Sequence, residues 1–592
     1  MVLTKKPEIA RKILDLLIPS ERRSAISLFG LMLIGMVLET IGVGVVLPLI
    51  ALLMQGDLAT NYPVFQPMLQ TMGNPSQKNL IIGAMLVLMG LYLIKTLFLA
   101  LLAWQQARFT FGVQAQLSQR LFSIYLRQAY MFHLQHNSSQ LLQNIIGEVG
   151  LFTNKAIMPG LLLFTEVLVL FGVFSLLIYV EPLGAIMTGV VLGTAAWGFH
   201  YLTRGRISRW GKARQHHDYK RIQHLQQGLG GAKDVKLFGR EDEFLKQYRS
   251  HNEQSAQVGQ LQHTLTQLPR LWLELLAIGG LVILVISMLI QGRPIEAILP
   301  TLGLFAAAAF RLMPSVNRIL GAFQSLRFGL PVIDVLHKEA NLATQDLADD
   351  HQTIIPFRDM LELNHITYTY PTAIEHAIKD ISITIKRGES VGFIGTSGSG
   401  KSTMVDIMLG LLTPSKGEVQ IDGQNIQLNL RNWQNQIGYV SQSIFLTDDT
   451  LRHNVAFGLS DDQIDDTAIQ RAIKAAQLEE FVADLPHGLE TIVGERGIRL
   501  SGGQRQRIGI ARALYHDPAV LMLDEATSSL DTATESDVMQ AVQALHGAKT
   551  IIIVAHRLST VEHCDRLYRL KQGRVVEEGR AADILDPKRK GA

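Results

Sequence analysis

The sequence contains little cysteine and little charge. One cysteine, Cys564, stands among 592 residues, which excludes an intramolecular disulfide. Charged residues make up 18% of the chain and the formal net charge is +3, too small a balance to predict nucleic-acid binding. The basic, amphipathic stretch 1–23 lacks the apolar core and cleavage site of a signal peptide, so we expect a retained surface helix.

Long apolar runs, in contrast, are concentrated in the first 330 residues. A helix needs about 20 apolar residues to cross a bilayer, and six runs approach or exceed that length. A buried soluble core is the alternative, but six such runs in one half of the chain favour a membrane. We therefore predict an all-α, six-helix transmembrane domain over residues 1–330, with spans at about 26–54, 80–104, 158–180, 183–201, 271–290 and 295–318.

Lysine and arginine are unevenly distributed around these spans. They crowd the tail before the first span and the segment after the fourth, whereas the predicted outer loops carry very few. This bias predicts that both termini lie in the cytoplasm. The inner connections, 105–157 and 202–270, are too long for ordinary loops, and we expect long cytosolic helical extensions that turn near 132–140 and 228–242.

The second half of the chain has a different character. Residues 331–360 are polar and mixed, and we expect a linker there. Over residues 361–592, short β-rich runs alternate with helical ones, a pattern typical of an α/β domain with a parallel sheet.

The stretch GTSGSGKST, residues 395–403, follows an apolar strand and opens a helix, as a phosphate-binding loop (P-loop) requires. Glycines let backbone N–H groups approach phosphate, and the helix N-terminus adds partial positive charge. Lys401 is expected to contact the β- and γ-phosphates of ATP, and Ser402 to bind Mg²⁺. The predicted ATP-binding residues are Gly395, Thr396, Ser397, Gly398, Ser399, Gly400, Lys401, Ser402 and Thr403.

A second buried strand in AVLMLDE ends in two carboxylates. Asp524 is placed to bind Mg²⁺, and Glu525 follows it, where it could polarise the water that attacks phosphate. The alternative is that Glu525 only caps the next helix. Phosphoryl transfer depends mainly on positioning and charge neutralisation, so a metal-binding aspartate beside a water-orienting glutamate favours the catalytic interpretation.

Three isolated residues complete the predicted nucleotide site. Gln442 could contact Mg²⁺ or the water, His556 ends another buried strand and could reach the γ-phosphate, and Tyr370 could stack on adenine. Each signal is weak alone, because a histidine at a strand end or an aromatic residue before proline is usually a packing residue.

Together, Tyr370, GTSGSGKST, Gln442, LSGGQ, LMLDE, SSLD and His556 closely resemble the ATP-binding cassette of ABC transporters over most of residues 361–580. The resemblance implies a P-loop ATPase with ATP and Mg²⁺ as ligands. It also implies that a second copy completes each site, so one cassette and six spans make half a transporter. The residues implied to act on the partner copy's ATP are Ser501, Gly502, Gly503, Gln504 and Asp531.

The membrane half resembles the bacterial flippases that move lipid-linked oligosaccharides for protein glycosylation. The stretches that carry this resemblance are VLETIGVGVVLPLI, LPRLWLE and FRLMPSVNRI. They imply a homodimeric, ATP-hydrolysing exporter in the inner membrane that flips a polyprenyl-pyrophosphate oligosaccharide. The alternative is an exporter of another glycolipid, a lipid, a drug-like molecule or a peptide.

Four ionisable residues in or near the spans are candidates for a substrate cavity: Glu39, Lys95, Arg270 and Arg311. Ionisable groups inside a membrane normally face a cavity or pair with one another. Glu39 and Lys95 could therefore meet a charged head-group, or they could form a pair that only fixes two helices. Arg270 and Arg311 would suit a pyrophosphate.

Overall fold

The computed structural model describes residues 6–45, 77–180, 182–290, 295–343, 356–371, 373–527 and 532–585. Contacts divide the chain into two units, Met1–Gln128 with His133–Thr344 and Ala129–Phe132 with Gln345–Ala592. The division falls between residues 344 and 345, and four residues of the first half, Ala129–Phe132, belong to the second unit.

The described part of the first unit is helical. The helices are α1 (Lys6–Leu16), α2 (Pro19–Gly44), α3 (Gln77–Leu126), α4 (Tyr130–Gln135), α5 (Ser138–Leu142), α6 (Val149–Phe152), α7 (Met158–Val180), α8 (Pro182–Gly230), α9 (Ala232–Leu237), α10 (Glu241–Ile290) and α11 (Ile295–Ala340). Wider π-helical turns, Gln143–Glu148 and Thr153–Ile157, join α5, α6 and α7 into one rod.

Several of these helices are much longer than a membrane is thick. Helices α3 and α10 have 50 residues each, about 75 Å at 1.5 Å per residue, against roughly 30 Å of hydrocarbon. The polar parts of these helices continue beyond the apolar runs. This extra length corresponds to the helical extensions that the sequence predicts. The chain reverses at the short helices α4 and α9, close to the predicted tips.

Five helical stretches in the described residues are long and apolar enough to cross a membrane: Pro19–Gly44, Ile81–Leu126, Ser138–Tyr179, Glu241–Ile283 and Leu312–Ala340. Each overlaps a span predicted from the sequence. The remaining predicted span, 183–201, lies within α8, and residues 46–54 of the first span lie outside the described residues.

The predicted linker, 331–360, starts too early. Helix α11 continues through Pro331 to Ala340 because Val332, Ile333 and Leu336 are buried in the core of the first unit with Phe152. Strand β1 begins at Met360, and residues 344–355 lie outside the described residues.

The described part of the second unit contains two sheets. The strands are β1 (Met360–Tyr368), β2 (Ile378–Lys386), β3 (Ser390–Gly395), β4 (Lys416–Ile421), β5 (Gln424–Asn425), β6 (Ile437–Val440), β7 (Val520–Asp524), β8 (Thr550–Val554), β9 (Arg566–Lys571) and β10 (Arg574–Gly579). One sheet has the order β10-β9-β3-β8-β7-β6 and is parallel except for β10. The other is antiparallel, with the order β2-β1-β4-β5.

Helices cover these sheets. They are α12 (Lys401–Met408), α13 (Leu430–Gln434), α14 (Leu451–Val455), α15 (Asp466–Ala475), α16 (Glu479–Ala483), α17 (Gly502–Leu514), α18 (Thr532–Gln543) and α19 (Ala581–Leu585). Strands β7 and β8 are buried along their whole length, as expected for a central parallel sheet covered on both faces.

Candidate nucleotide site and membrane charges

The predicted catalytic residues follow four neighbouring parallel strands. Strands β3, β8, β7 and β6 lie side by side, so their carboxyl ends meet at one edge of the sheet. The P-loop follows β3, His556 follows β8, Glu525 follows β7, and Gln442 follows β6. Residues more than 100 positions apart are thereby brought to one place.

The P-loop has the backbone geometry that its glycines predict. Gly400 has a φ of +103°, and a Cβ there would lie 2.8 Å from the carbonyl oxygen of Ala377. Lys401, buried at the start of α12, donates to the carbonyl oxygens of Gly395 (3.0 Å) and Thr396 (3.2 Å). Burial lowers the pKa of Lys401, while the carboxylates of Glu525 and Asp524 act in the opposite direction. The ammonium group is therefore held within the loop, beside two acids.

The polar atoms around the loop fit a divalent cation with phosphate. Oδ1 of Asp524 and the hydroxyl of Ser399 are buried and have no hydrogen-bond partner among the described residues. Burial, and then the nearby Glu525, raises the pKa of Asp524. A buried carboxylate oxygen without a donor is a costly arrangement that a cation would relieve. Ser402 is exposed on the first turn of α12, next to Lys401.

Glu525 is the centre of the predicted catalytic group. Its carboxylate accepts a hydrogen bond from Nε2 of Gln442 at 2.7 Å and lies 2.7 Å from Nε2 of His556. Its backbone has a φ of +50°, a left-handed conformation that costs of order 1 kcal/mol in a residue with a side chain. The three residues predicted to be catalytic are thus in direct contact.

Tyr370 lies beside the P-loop helix. Its hydroxyl is 3.1 Å from Oγ1 of Thr403, and its ring packs edge-on against Tyr368 with the centroids 5.1 Å apart. The structure therefore brings Tyr370 close to the loop, and its stacking on adenine stays a prediction.

The LSGGQ stretch opens helix α17 with a capping box. Ser501 Oγ accepts from the backbone N–H of Gln504 at 3.2 Å, and the Gln504 side chain accepts from the N–H of Ser501 at 2.8 Å. Ser501 is exposed. Gly503 follows Gly502 in the first turn, and Gly502 lines a groove of about 550 Å³ with Gln442. Asp531 lies outside the described residues.

Three further residues of the second unit were not predicted. Asp406 on α12 is half-buried, and burial together with Asp524 raises its pKa to about 6. Tyr439 on β6 hydrogen-bonds to Asp524. Met131, in the part of α4 that belongs to the second unit, packs against the hydrophobic core there. Only the position of Tyr439 on the strand before Gln442 could have indicated its proximity.

Within the first unit, two predicted cavity residues form an ion pair. Lys95 Nζ lies 2.8 Å from Glu39 Oε2, and the side chains are 10% and 15% exposed. Lys95 also lies over the ring of Tyr92, whose hydroxyl donates to the carbonyl oxygen of Gly42. The ion pair, which was one of the two alternatives for these residues, is therefore present.

The two predicted arginines differ. Arg270 pairs with Glu274 on its own helix at 2.9 Å and is exposed, whereas the side chain of Arg311 lies outside the described residues. A pair that the sequence analysis missed joins Arg318 to the buried Glu166 at 2.9 Å. Arg318 belongs to the FRLMPSVNRI stretch, which was the available signal.

Comparisons with known proteins agree with this architecture. Residues 378–528 match the family model described as ABC transporter, and residues 46–293 match that of the ABC transporter transmembrane region. The chain is 30% identical to the ATP-dependent lipid A-core flippase of Alkalilimnicola ehrlichii over 79% of each chain. It is 31% identical to the protein of the same name from Nitrosococcus oceani, over 80% of this chain and 79% of that one.

Among solved structures, a bacterial Atm1-family ABC exporter with ATP bound superposes with a TM-score of 0.78. It is 23% identical and covers 96% of each chain, which supports the fold alone. The predicted fold, a helical transmembrane domain fused to an α/β P-loop cassette, is confirmed.

Such a chain is a membrane-bound P-loop ATPase that couples ATP hydrolysis to the movement of a substance across the bilayer. It belongs to the ABC transporter family, and it carries one transmembrane region and one ATP-binding cassette, the half-transporter arrangement.

Proposed function

We propose that this chain is a homodimeric flippase of the bacterial inner membrane that exports a phosphate-bearing glycolipid at the expense of ATP. A lipid-linked, polyprenyl-pyrophosphate oligosaccharide is our first candidate substrate. Both termini and the cassette would lie in the cytoplasm, as the lysine and arginine distribution favours. The buried Glu39–Lys95 ion pair between apolar helices carries the substrate proposal.

Hydrolysis would proceed at the edge of the parallel sheet. Lys401 and the P-loop N–H groups hold the phosphates, and Asp524, Ser402 and Gln442 would hold Mg²⁺, which supplies charge neutralisation to the transferred phosphoryl group. Glu525 accepts a hydrogen bond from the attacking water and orients it. Gln442 and His556 support this role because their contacts fix both carboxylate oxygens of Glu525.

A second copy would complete each nucleotide site. Ser501 is exposed, and its capping box leaves the N–H groups of Gly502 and Gly503 without an intrahelical partner. A helix N-terminus is a favourable place for the γ-phosphate of the partner's ATP. The γ-phosphate would then stabilise the closed pair, and its hydrolysis would remove that preference.

The substrate class is argued from charge inside the membrane. Moving ionisable groups into hydrocarbon costs several kcal/mol, so Glu39 and Lys95 are expected to serve either helix pairing or a polar substrate. Their pair could open to meet a head-group, with Arg270 and Arg311 binding its phosphates. The relatives' name, lipid A-core flippase, favours a lipid over a drug-like molecule or a peptide and makes lipid A-core the second candidate.

A flipping assay tests the proposal. Proteoliposomes would contain the chain together with fluorescent polyprenyl-pyrophosphate glycan or fluorescent lipid A-core, and an impermeant quencher would report the exposed leaflet. With the wild type, we expect ATP to lower the fraction of glycan fluorescence that the quencher can reach. Glu525→Gln should bind ATP but lower hydrolysis by at least about 100-fold and abolish flipping.

A charge-swapped variant separates the two roles of the ion pair. Glu39→Lys with Lys95→Glu retains attraction between the helices but inverts the charges offered to a head-group. Normal flipping by this variant would assign the pair to helix packing alone. Movement of lipid A-core but not of the glycan would select the second candidate, and movement of neither, with ATPase stimulated equally by unrelated amphiphiles, would refute the glycolipid proposal.

A further inference from the structure

Four histidines gather between helices α8 and α10 in the stretch 202–270. His216, His217 and His224 lie on α8, and His251 lies on α10. The ring centroid of His251 is 5.3 Å from that of His217, 5.4 Å from that of His224 and 6.1 Å from that of His216. Positions 217 and 224 are two helical turns apart, so they present one face to α10.

The closest pair has the spacing of two ligands on one metal ion. Nδ1 of His217 and Nδ1 of His251 are 3.0 Å apart. Two imidazole nitrogens bound to a tetrahedral Zn²⁺ at about 2.0 Å are separated by roughly 3.3 Å. At this distance one nitrogen must offer a lone pair, because two N–H groups would repel each other.

A third imidazole is available beside this pair. Nδ1 of His224 is buried and has no hydrogen-bond partner among the described residues, while its ring is nearly parallel to that of His251, at 13°. A buried ring nitrogen without a partner is unfavourable, and a ligand would satisfy it. In the described part of the chain no three acidic, histidine or cysteine side chains already stand at ligand spacing, so His224 must rotate to join.

The surrounding charges are compatible with a cation. Arg214, Lys220 and Arg221 lie on the same helix, but Asp218 accepts from Arg214 at 3.2 Å and from Ser255 on α10 at 2.6 Å. Lys220 is turned to Gln223, and Arg221 reaches Asn252.

We propose that His217 and His251 bind a divalent transition-metal ion, Zn²⁺ in the first instance, with His224 as third ligand and water as fourth. Binding replaces the hydrogen bond between the two Nδ1 atoms with two metal–nitrogen bonds, and the ring that donated moves its proton from Nδ1 to Nε2. The ion would join α8 to α10, the two helices that carry the short helix α9 between them. It would thereby restrain this extension of the first unit.

Metal retention tests this site directly. Full-length protein in nanodiscs, freed of its affinity tag and of nucleotide, would be incubated with Zn²⁺, desalted and analysed for zinc and protein. We expect about one zinc per chain for the wild type. His217→Gln and His251→Gln should each retain at least fivefold less, while His263→Gln, an exposed position on the same helix α10, should equal the wild type.

Cu²⁺ supplies a second measurement that does not depend on the variants' folding. The electron paramagnetic resonance spectrum of the wild type loaded with one Cu²⁺ should show coupling to at least two imidazole nitrogens. Zinc retention that is absent in the wild type, or equal in His251→Gln and His263→Gln, would overturn the proposal. So would a Cu²⁺ spectrum with oxygen ligands only.

Discussion

At the scale of single residues, Asp406 of the cassette has a raised pKa. It lies on the P-loop helix, half-buried, and the charge of Asp524 acts on it. Tyr130, Tyr368 and Tyr439 surround it and contribute no positive charge. Burial, and then Asp524, raises its pKa from 3.8 to about 6, so the folded state disfavours the ionised form.

This shift predicts a pH dependence of stability. The folded protein binds the proton of Asp406 more tightly than the unfolded chain does, so wild-type stability should fall as pH rises from about 4 to about 6 and stay lower above that. Asp406→Asn removes the charge and should stabilise the nucleotide-free protein by about 1–2 kcal/mol at pH 8, after allowance for solvent screening.

Thermal unfolding of the full chain between pH 4 and pH 8 measures this difference. The gain of Asp406→Asn over the wild type should shrink towards pH 4, and the exposed Asp484→Asn should follow the wild type throughout. A gain for Asp406→Asn that is equally large at pH 4 would show that packing, not ionisation, is responsible.

Single residues differ in how well the sequence predicts them. Lys401, Asp524 and Glu525 could be identified because each follows a recognisable strand within a short motif. The sequence could suggest that Gln442 and His556 belong to the site but could not show that both contact Glu525. Those contacts depend on the order of β6, β7 and β8 in the sheet. Asp406 could not be identified from any sequence pattern, since burial of an isolated acid is a property of tertiary packing.

At the scale of elements, Ser501 has two separable roles. It caps helix α17, and we also propose that it reaches the partner's ATP. Asparagine is as good a cap as serine, whereas alanine is worse by about 1 kcal/mol. Ser501→Asn should therefore leave the unfolding midpoint close to that of the wild type, while its wider amide should lower ATPase activity at least tenfold.

Steady-state ATPase and thermal unfolding of Ser501→Asn and Ser501→Ala, measured side by side, distinguish the roles. If capping were the only role, Ser501→Asn would retain full activity and only Ser501→Ala would be impaired.

A buried ionic network joins three helical elements of the first unit. Glu148, at the end of a π-helical turn, is 1% exposed and accepts from Arg214 on α8 at 3.2 Å. Arg214 also donates to Asp218, which accepts from Ser255 on α10. The π-helical turn widens the rod by one residue, and such turns are common at functional positions.

Breaking this network should be costly. Glu148→Gln leaves the buried Arg214 with one carboxylate instead of two, and we expect a loss of about 3 kcal/mol in unfolding free energy. Glu241→Gln, which breaks the exposed pair with Lys236, is the matched control and should show no measurable loss. Equal midpoints for both variants in thermal unfolding in detergent would contradict the expected cost.

Secondary-structure elements can be predicted from the sequence where the hydrophobic pattern is strong. Long apolar helices and the buried strands β3, β7 and β8 could be predicted from hydrophobic runs. The antiparallel sheet β2-β1-β4-β5 was missed. Buried and exposed residues alternate along its strands, and β3 and α12 lie between β2 and β4 in the chain. The helical end at Ala340 was missed because Pro331 and polar neighbours mask the buried Val332 and Ile333.

At the scale of the whole molecule, one cassette supplies one P-loop and one LSGGQ helix. Ser501 and Gln504 satisfy each other's N–H groups, and Ser501 is exposed, so the start of α17 is accessible to another chain. In a head-to-tail pair, each P-loop would meet the partner's Ser501, and two ATP molecules would lie between the copies.

Disulfide cross-linking tests this arrangement. In a Cys564→Ala background the chain has no cysteine, so Ser397→Cys in the P-loop and Ser501→Cys in the LSGGQ stretch would be the only thiols. We expect mild oxidation with ATP to give a dimer-sized band on a denaturing gel, because the two thiols that meet belong to different copies. Ser397→Cys alone should remain monomeric, since the two P-loops of such a pair do not face each other. A disulfide within one chain, which changes mobility without doubling the mass, would place both phosphate-binding helix starts in the same subunit's site and exclude the head-to-tail pair.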